Sequence, residues 1–121
     1  MPPPTNGMLR EPCLVTGATG FLGRSFLAFW KDRMPEITAS SRRPVEGVRF
    51  QIGDLTDPSL TLGPHRYAVV YHMAGRVHAP SRRSADARAF FEVNLQGTLN
   101  LLSALERSGT LPGAFVFVST A

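Results

Sequence analysis

Cysteine occurs once in the 121 residues, at Cys13, so no internal disulfide can form. That sparing use of thiols fits a reducing, cytoplasmic setting. Nowhere does the chain approach the ~20 consecutive apolar residues that span a bilayer, so no membrane partner is expected. The N-terminal stretch has three consecutive prolines and an Asn-Gly pair but no apolar centre, which argues against a signal peptide. Residues 1–11 read as a flexible tail ahead of one domain over 12–121. Lysine is almost missing: of 13 basic residues only Lys31 is lysine, and the formal net charge is +4. The arginines are scattered, with short pairs at Arg42-Arg43 and Arg82-Arg83. A block of about five or six like charges, the mark of a nucleic-acid tail, is lacking, so no nucleic acid is expected as partner. His65, His72 and His78 have no convergent carboxylates or thiols, so no metal site is expected either.

What is present is an ordinary globular composition, 43% hydrophobic, in a repeating order of short apolar run and amphipathic run. That alternation predicts βαβ units on a parallel sheet. The first strand is Cys13-Leu14-Val15, and a helix follows from about Phe21 to Arg33 with Phe26, Leu27, Trp30 and Met34 on one stripe, ended by Pro35. Strands are expected at Ile37–Ser41, Val48–Ile52 and Ala68–Met73, the last apolar on both alternations like a central parallel strand. A long helix runs from about Ala85 to Arg107, with Ser84 as N-cap, Asp86 in the first turn and Gly109 as the C-terminal stop. Phe91, Leu95, Leu99, Leu102 and Leu105 recur along it at helical spacing. Ala114–Val118 is the fifth strand. One link sits badly with this scheme: 42–47 is short for a crossover between parallel strands, which usually takes about a dozen residues.

The most informative segment is Val15-Thr16-Gly17-Ala18-Thr19-Gly20-Phe21-Leu22-Gly23, which follows a strand and opens a helix. Gly17 permits a tight turn out of the strand, Gly20 lets the backbone approach a diphosphate, and Gly23 permits close helix packing. The free N–H groups of the helix start then face the phosphates. A plain strand–helix turn with incidental glycines is the alternative. The spacing is Gly-x-x-Gly-x-x-Gly, and the spelled-out Thr-Gly-Ala-Thr-Gly-Phe-Leu-Gly closely resembles the extended short-chain dehydrogenase/reductases, including the NAD-dependent epimerase/dehydratase family.

The resemblance runs from about Cys13 to Ala121. Gly53-Asp54-Leu55 resembles the family segment in which the Asp meets the adenine; a strand-end turn is the alternative. Val70-Tyr71-His72-Met73-Ala74-Gly75 resembles the segment that closes the fourth strand, where Met73, Ala74 and Gly75 would pass the cofactor and His72 would be a satisfied core histidine. Asn94-Leu95-Gln96-Gly97-Thr98 resembles a stretch of the long helix in which the Asn steadies the active-site loop; the alternative is an exposed polar position. The resemblance implies an α/β Rossmann-type three-layer α/β/α sandwich, sheet order 3-2-1-4-5, with a cofactor held by Gly17, Thr19, Gly20, Phe21, Leu22, Gly23, Ser41, Arg42, Asp54, Leu55, Met73, Ala74, Gly75 and Asn94. It also implies a small-molecule substrate, such as a nucleotide sugar, and a homodimeric parent protein.

Two further absences bear on chemistry. In the general dinucleotide fingerprint an acidic residue about 20 positions on binds the ribose 2′-OH of NAD. Here the second strand ends Ala39-Ser40-Ser41-Arg42-Arg43, with Ser41 where the acid usually lies and Arg42 next to it. A guanidinium suits a 2′-phosphate, so NADP is the expected cofactor and NAD the alternative. An exposed arginine pair beside a turn is the plain reading of the same residues. In the resembling family a Ser or Thr after the fifth strand works with a Tyr-x-x-x-Lys pair. Thr120, then Ser119, match the hydroxyl, with two ordinary strand-end hydroxyls as the alternative. The only tyrosines are Tyr67 and Tyr71, and Lys31 precedes both. The chain is therefore expected to be an N-terminal fragment that binds cofactor without turning over substrate. A non-catalytic NAD(P)-binding or redox-sensing module is the competing reading.

Overall fold

The structure, a computed structural model, describes residues 11–34, 36–62, 66–73, 84–109 and 111–118. Its elements are β1 (Cys13–Thr16), α1 (Phe21–Trp30), β2 (Ile37–Ser41), β3 (Arg49–Ile52), β4 (Val69–His72), α2 (Ser84–Arg107) and β5 (Ala114–Phe117). The five strands form one sheet in the order β3-β2-β1-β4-β5, every pair parallel. β1 lies at the centre, with Leu14 opposite Thr38 on one side and Val70 on the other. All four of its residues are buried, as a strand covered on both faces requires.

Alternate strand residues feed two apolar layers. On one face Cys13, Val15 and Ala39 pack with Leu27 and Met34, flanked by Phe26, Trp30 and Tyr71. On the other, Leu14 and Val70 pack with Leu101, Ala104 and Leu105 of α2 and with Leu60, Leu62 and Tyr67. The result is the expected three-layer α/β/α arrangement. Each leucine buried this way contributes roughly 1.5–3 kcal/mol.

α1 is shorter than its apolar stripe suggests. It ends at Trp30, and the N–H groups of Arg33 and Met34 both bond to the Trp30 carbonyl. That tight turn delivers Met34 to the core from outside the helix, with its sulfur 4.0 Å from the Cys13 sulfur. Pro35 lies outside the described residues, as does most of the N-terminal tail. α2 is described from Ser84 onward, and the side chains of Ser84 and Asp86, the expected cap and first-turn acid, lie outside the described set. Gly109 follows the helix at φ 78°, a left-handed stop.

The short crossover is real. β2 and β3 are parallel although only residues 42–48 connect them. Two local devices shorten the link. Ser41 Oγ accepts the Arg43 N–H at 3.1 Å and donates to the Arg43 carbonyl, and Gly47 reverses the chain at φ 83°. With no helix in this crossover, Phe50 and Ile52 of β3 are exposed.

α2 departs from its leucine pattern. Leu105 is buried, but Phe91 (64%), Leu95, Leu99 and Leu102 are exposed. Leu101, Ala104 and Leu105 face the sheet instead, with Gly97 and Asn100 continuing that face. The helix carries two apolar stripes, and the one holding Leu101, Ala104 and Leu105 docks on the sheet. Among the described residues no helix is long and apolar enough to cross a membrane.

Candidate functional site

β1 aims Thr16 at the carboxyl edge of the sheet, and the chain leaves it through Gly17 at φ 70°, where any side chain would be strained. The Gly20 N–H then bonds to the Gly17 carbonyl at 3.1 Å, closing a turn, and Arg24 N–H bonds to Gly20 O at 2.9 Å to start α1. A Cβ on Gly23 would lie 1.9 Å from the Gly17 oxygen and 2.9 Å from Ala18 Cα. Gly23 is thus needed so that the helix can pack on the turn itself, a closer partner than the sheet that the spacing suggests. Gly20 caps the helix with no side chain, and the first turn carries no acidic residue. The first-turn N–H groups therefore face outward with a positive end of the helix dipole behind them.

This turn forms the floor of a cleft of about 450 Å³. The cleft lies across the carboxyl ends of the strands, where the order switches between β1 and β4. Its volume is that of a small-molecule site. Of the residues expected there, Gly17, Thr19, Gly20, Phe21, Leu22, Gly23, Ser41, Arg42, Asp54, Leu55 and Met73 line it. Ala18, Ser40, Gly53, Thr56 and Gly97 also line it and were not anticipated. Asn94 is not among the lining residues; it sits half-buried on α2, where its carbonyl accepts the Thr98 hydroxyl at 2.8 Å. Ala74, Gly75, Ser119 and Thr120 lie outside the described residues.

The polar walls are ordered by short loops. Asp54 Oδ1 accepts the Thr56 N–H at 2.9 Å and the Thr56 hydroxyl at 2.7 Å. Those two bonds, with the Arg42 charge as a lesser contribution, hold the Asp54 carboxyl below the usual carboxylate range. The strand-end turn is therefore present, and it fixes an ionised carboxylate in the cleft wall. Ser41 is committed to the Arg43 backbone, which leaves Arg42 as the charged group of the β2 end facing the cleft.

α2 braces the opposite side. Asn100, nearly fully buried, donates from Nδ2 to the Leu55 carbonyl at 2.7 Å and accepts from Gln96 Nε2 at 2.8 Å. Arg107 donates to the Leu60 carbonyl, pinning the far end of the same loop. Neither role was read from the sequence; a polar residue between Leu99 and Leu101 was the available signal. Gly97 faces Leu55, where an added Cβ would make ordinary van der Waals contact with the Leu55 Cβ at 3.5 Å. His72 is buried and bonded through both ring nitrogens, to Thr16 Oγ1 at 2.6 Å and Thr98 Oγ1 at 2.9 Å. It is the satisfied core histidine that was expected. Burial raises the Cys13 thiol to about 11, so it is an inert core group.

A parallel sheet in this order, with a glycine-built helix entry at the switch point, defines a Rossmann-like nucleotide-binding architecture. The model of the NAD dependent epimerase/dehydratase family matches residues 13–121, and the chain belongs to that family. It is 34% identical over 114 residues to GDP-6-deoxy-D-mannose reductase of Pseudomonas aeruginosa, covering 93% of this chain and 34% of that protein. It is 37% identical over 109 residues to dTDP-glucose 4,6-dehydratase of Mycolicibacterium smegmatis, covering 78% of this chain and 32% of that one. Among solved structures, a short-chain dehydrogenase/reductase superfamily protein from Agrobacterium tumefaciens with bound NAD superposes at a TM-score of 0.63. That match has 29% identity and covers 90% of this chain and 32% of the other. The chain thus spans about a third of the length of the curated relatives it matches.

Proposed function

We propose that the chain is the dinucleotide-binding portion of an epimerase, dehydratase or reductase whose substrate is a nucleotide sugar or related alcohol or ketone. The observation that carries this is the Gly17–Gly20–Gly23 turn. Its backbone closes too tightly for a Cβ at Gly23 and opens uncapped amides onto the cleft. The residues fit a dinucleotide. The glycine turn accepts a diphosphate, Asp54 offers an acceptor to an adenine amino group, and Leu55 and Met73 supply apolar wall. Nicotinamide, when bound, supplies or takes the hydride, and the protein's part is to orient it. The relatives' names, a GDP-sugar reductase and a dTDP-sugar dehydratase, support the substrate class.

Within this reading the cofactor is NADP, with NAD the alternative. Arg42 faces the cleft at the end of β2, where no carboxylate stands to bind a ribose 2′-OH. A guanidinium there favours a 2′-phosphate through paired charge-assisted bonds. Ala74 and Gly75 would continue the wall beyond Met73. Asn94 would steady the active-site loop, and Thr120 or Ser119 would contact the substrate hydroxyl. The exposed stripe Phe91, Leu95, Leu99 and Leu102 suits the homodimeric parent protein, and the buried, unreactive Cys13 suits a cytoplasmic setting.

Titration of the chain with NADPH and NADH tests the assignment. Arg42→Ala should weaken NADPH by ~1.5–3 kcal/mol and NADH much less. Equal losses for the two, or no loss for NADPH, would remove the NADP reading.

A further inference from the structure

The buried polar chain behind the cleft has a direction. The Thr98 hydroxyl has one hydrogen and gives it to the Asn94 carbonyl at 2.8 Å. Thr98 Oγ1 can therefore only accept from His72 Nε2, 2.9 Å away, which places the ring proton on Nε2. Nδ1 of the neutral ring is then an acceptor, and Thr16 Oγ1 donates to it at 2.6 Å. Thr16 Oγ1 in turn accepts the Met73 N–H at 3.1 Å. Every donor in the series meets an acceptor, from the start of the β4 exit loop, through β1, back across β4, to α2.

Each side chain in the series adjoins a residue of the cleft floor. Thr16 precedes Gly17, His72 precedes Met73, and Thr98 follows Gly97; Gly17, Met73 and Gly97 all line the cleft. Phe115 and Phe117 of β5 hold the imidazole from the side, their ring centres 5.9 and 5.5 Å away. We infer that His72 is a positioning residue. Its Nε2-protonated imidazole ties three separate segments of the cleft floor into one unit and so sets dinucleotide affinity. This rests on the dinucleotide reading above. Burial, which holds the His72 pKa down at about 4, keeps the ring in the neutral form that the series needs. A histidine that merely fills the core would tolerate loss of a hydrogen-bond partner with no effect on the ligand.

Two measurements on the full chain decide it. Long-range proton–nitrogen spectra of the wild-type imidazole should show Nε2 protonated and Nδ1 bare at neutral pH. The opposite tautomer, or an imidazolium, would overturn the inference. Thr98→Val keeps the shape of the side chain but removes the acceptor, and it should weaken NADPH or NADH by about tenfold. Thr98→Ser should restore the affinity, because only the hydroxyl is needed. A Val variant that folds and binds like wild type contradicts the inference; should it not fold, the tautomer decides alone. If wild type binds neither dinucleotide, the proposed function fails. The positioning claim is then judged by the tautomer and by the Met73 amide, whose hydrogen exchange should be faster in Thr98→Val than in Thr98→Ser. Unchanged exchange would contradict it.

Discussion

At single residues, glycine and histidine shape the cleft for opposite reasons. Gly17 and Gly23 matter through what they leave out: a side chain at the first would be strained at φ 70°, and at the second would strike the Gly17 carbonyl. Their spacing is readable in sequence because the constraint is local, between residues a turn apart. His72 matters through its partners on β1 and α2, and no local pattern reveals those. Its depressed pKa has a consequence for stability. The folded ring titrates at about 4, against an ordinary value of 6.5. Between those values the unfolded chain binds the proton and the folded one does not, so stability falls as pH drops from about 6.5 towards 4 and levels off below. The full effect is on the order of 3 kcal/mol at one histidine. Urea melts from pH 7 to pH 4 should show this slope, and His72→Gln should flatten it; an unchanged slope in the variant would assign the effect to other groups.

Among the elements, the strands were more legible than the faces of the helices. Short, mainly apolar runs such as Cys13–Thr16 and Val69–His72 have few ways to be used, and the parallel sheet employs them as the sequence suggests. α1 stops early because the turn after Trp30 can bury Met34 without continuing the helix. α2 has two leucine stripes, and sequence periodicity does not say which meets the sheet. The face that docks is the one whose Asn100 reaches the Leu55 carbonyl, 45 positions away in the chain. The two stripes should respond differently to truncation. Leu101→Ala should cost about 2–5 kcal/mol, since it opens a cavity against Leu14 and Val70, whereas Leu99→Ala should cost well under 1. Chemical denaturation of the two variants checks this. Comparable losses would mean that the stripe placed in solvent is packed.

At the scale of the whole molecule, the sheet ends in two edge strands, β3 and β5, with Phe50, Ile52, Val116 and Phe117 exposed beside them. The cleft draws on one of those edges, through the Gly53–Thr56 segment that follows β3, and leaves β5 out among the described residues. It is assembled from the carboxyl ends of β1, β2, β3 and β4, from the first turn of α1 (Phe21, Leu22 and Gly23) and from Gly97 of α2. This is why the site was largely legible from the glycine, Ser-Arg and Gly-Asp-Leu segments, each of which ends a strand. The braces were not, because Asn100, Arg107 and Thr98 act on segments distant in sequence. In the proposed function the turn from Gly17 to Gly23 receives the diphosphate of a dinucleotide. The most direct test is a titration of the nitrogen-15-labelled chain with NADPH and NADH, followed at each backbone amide. The Gly17–Gly23 amides should shift most and saturate with the rest of the cleft. Saturable shifts confined to other surfaces, with that turn unmoved, would contradict the account.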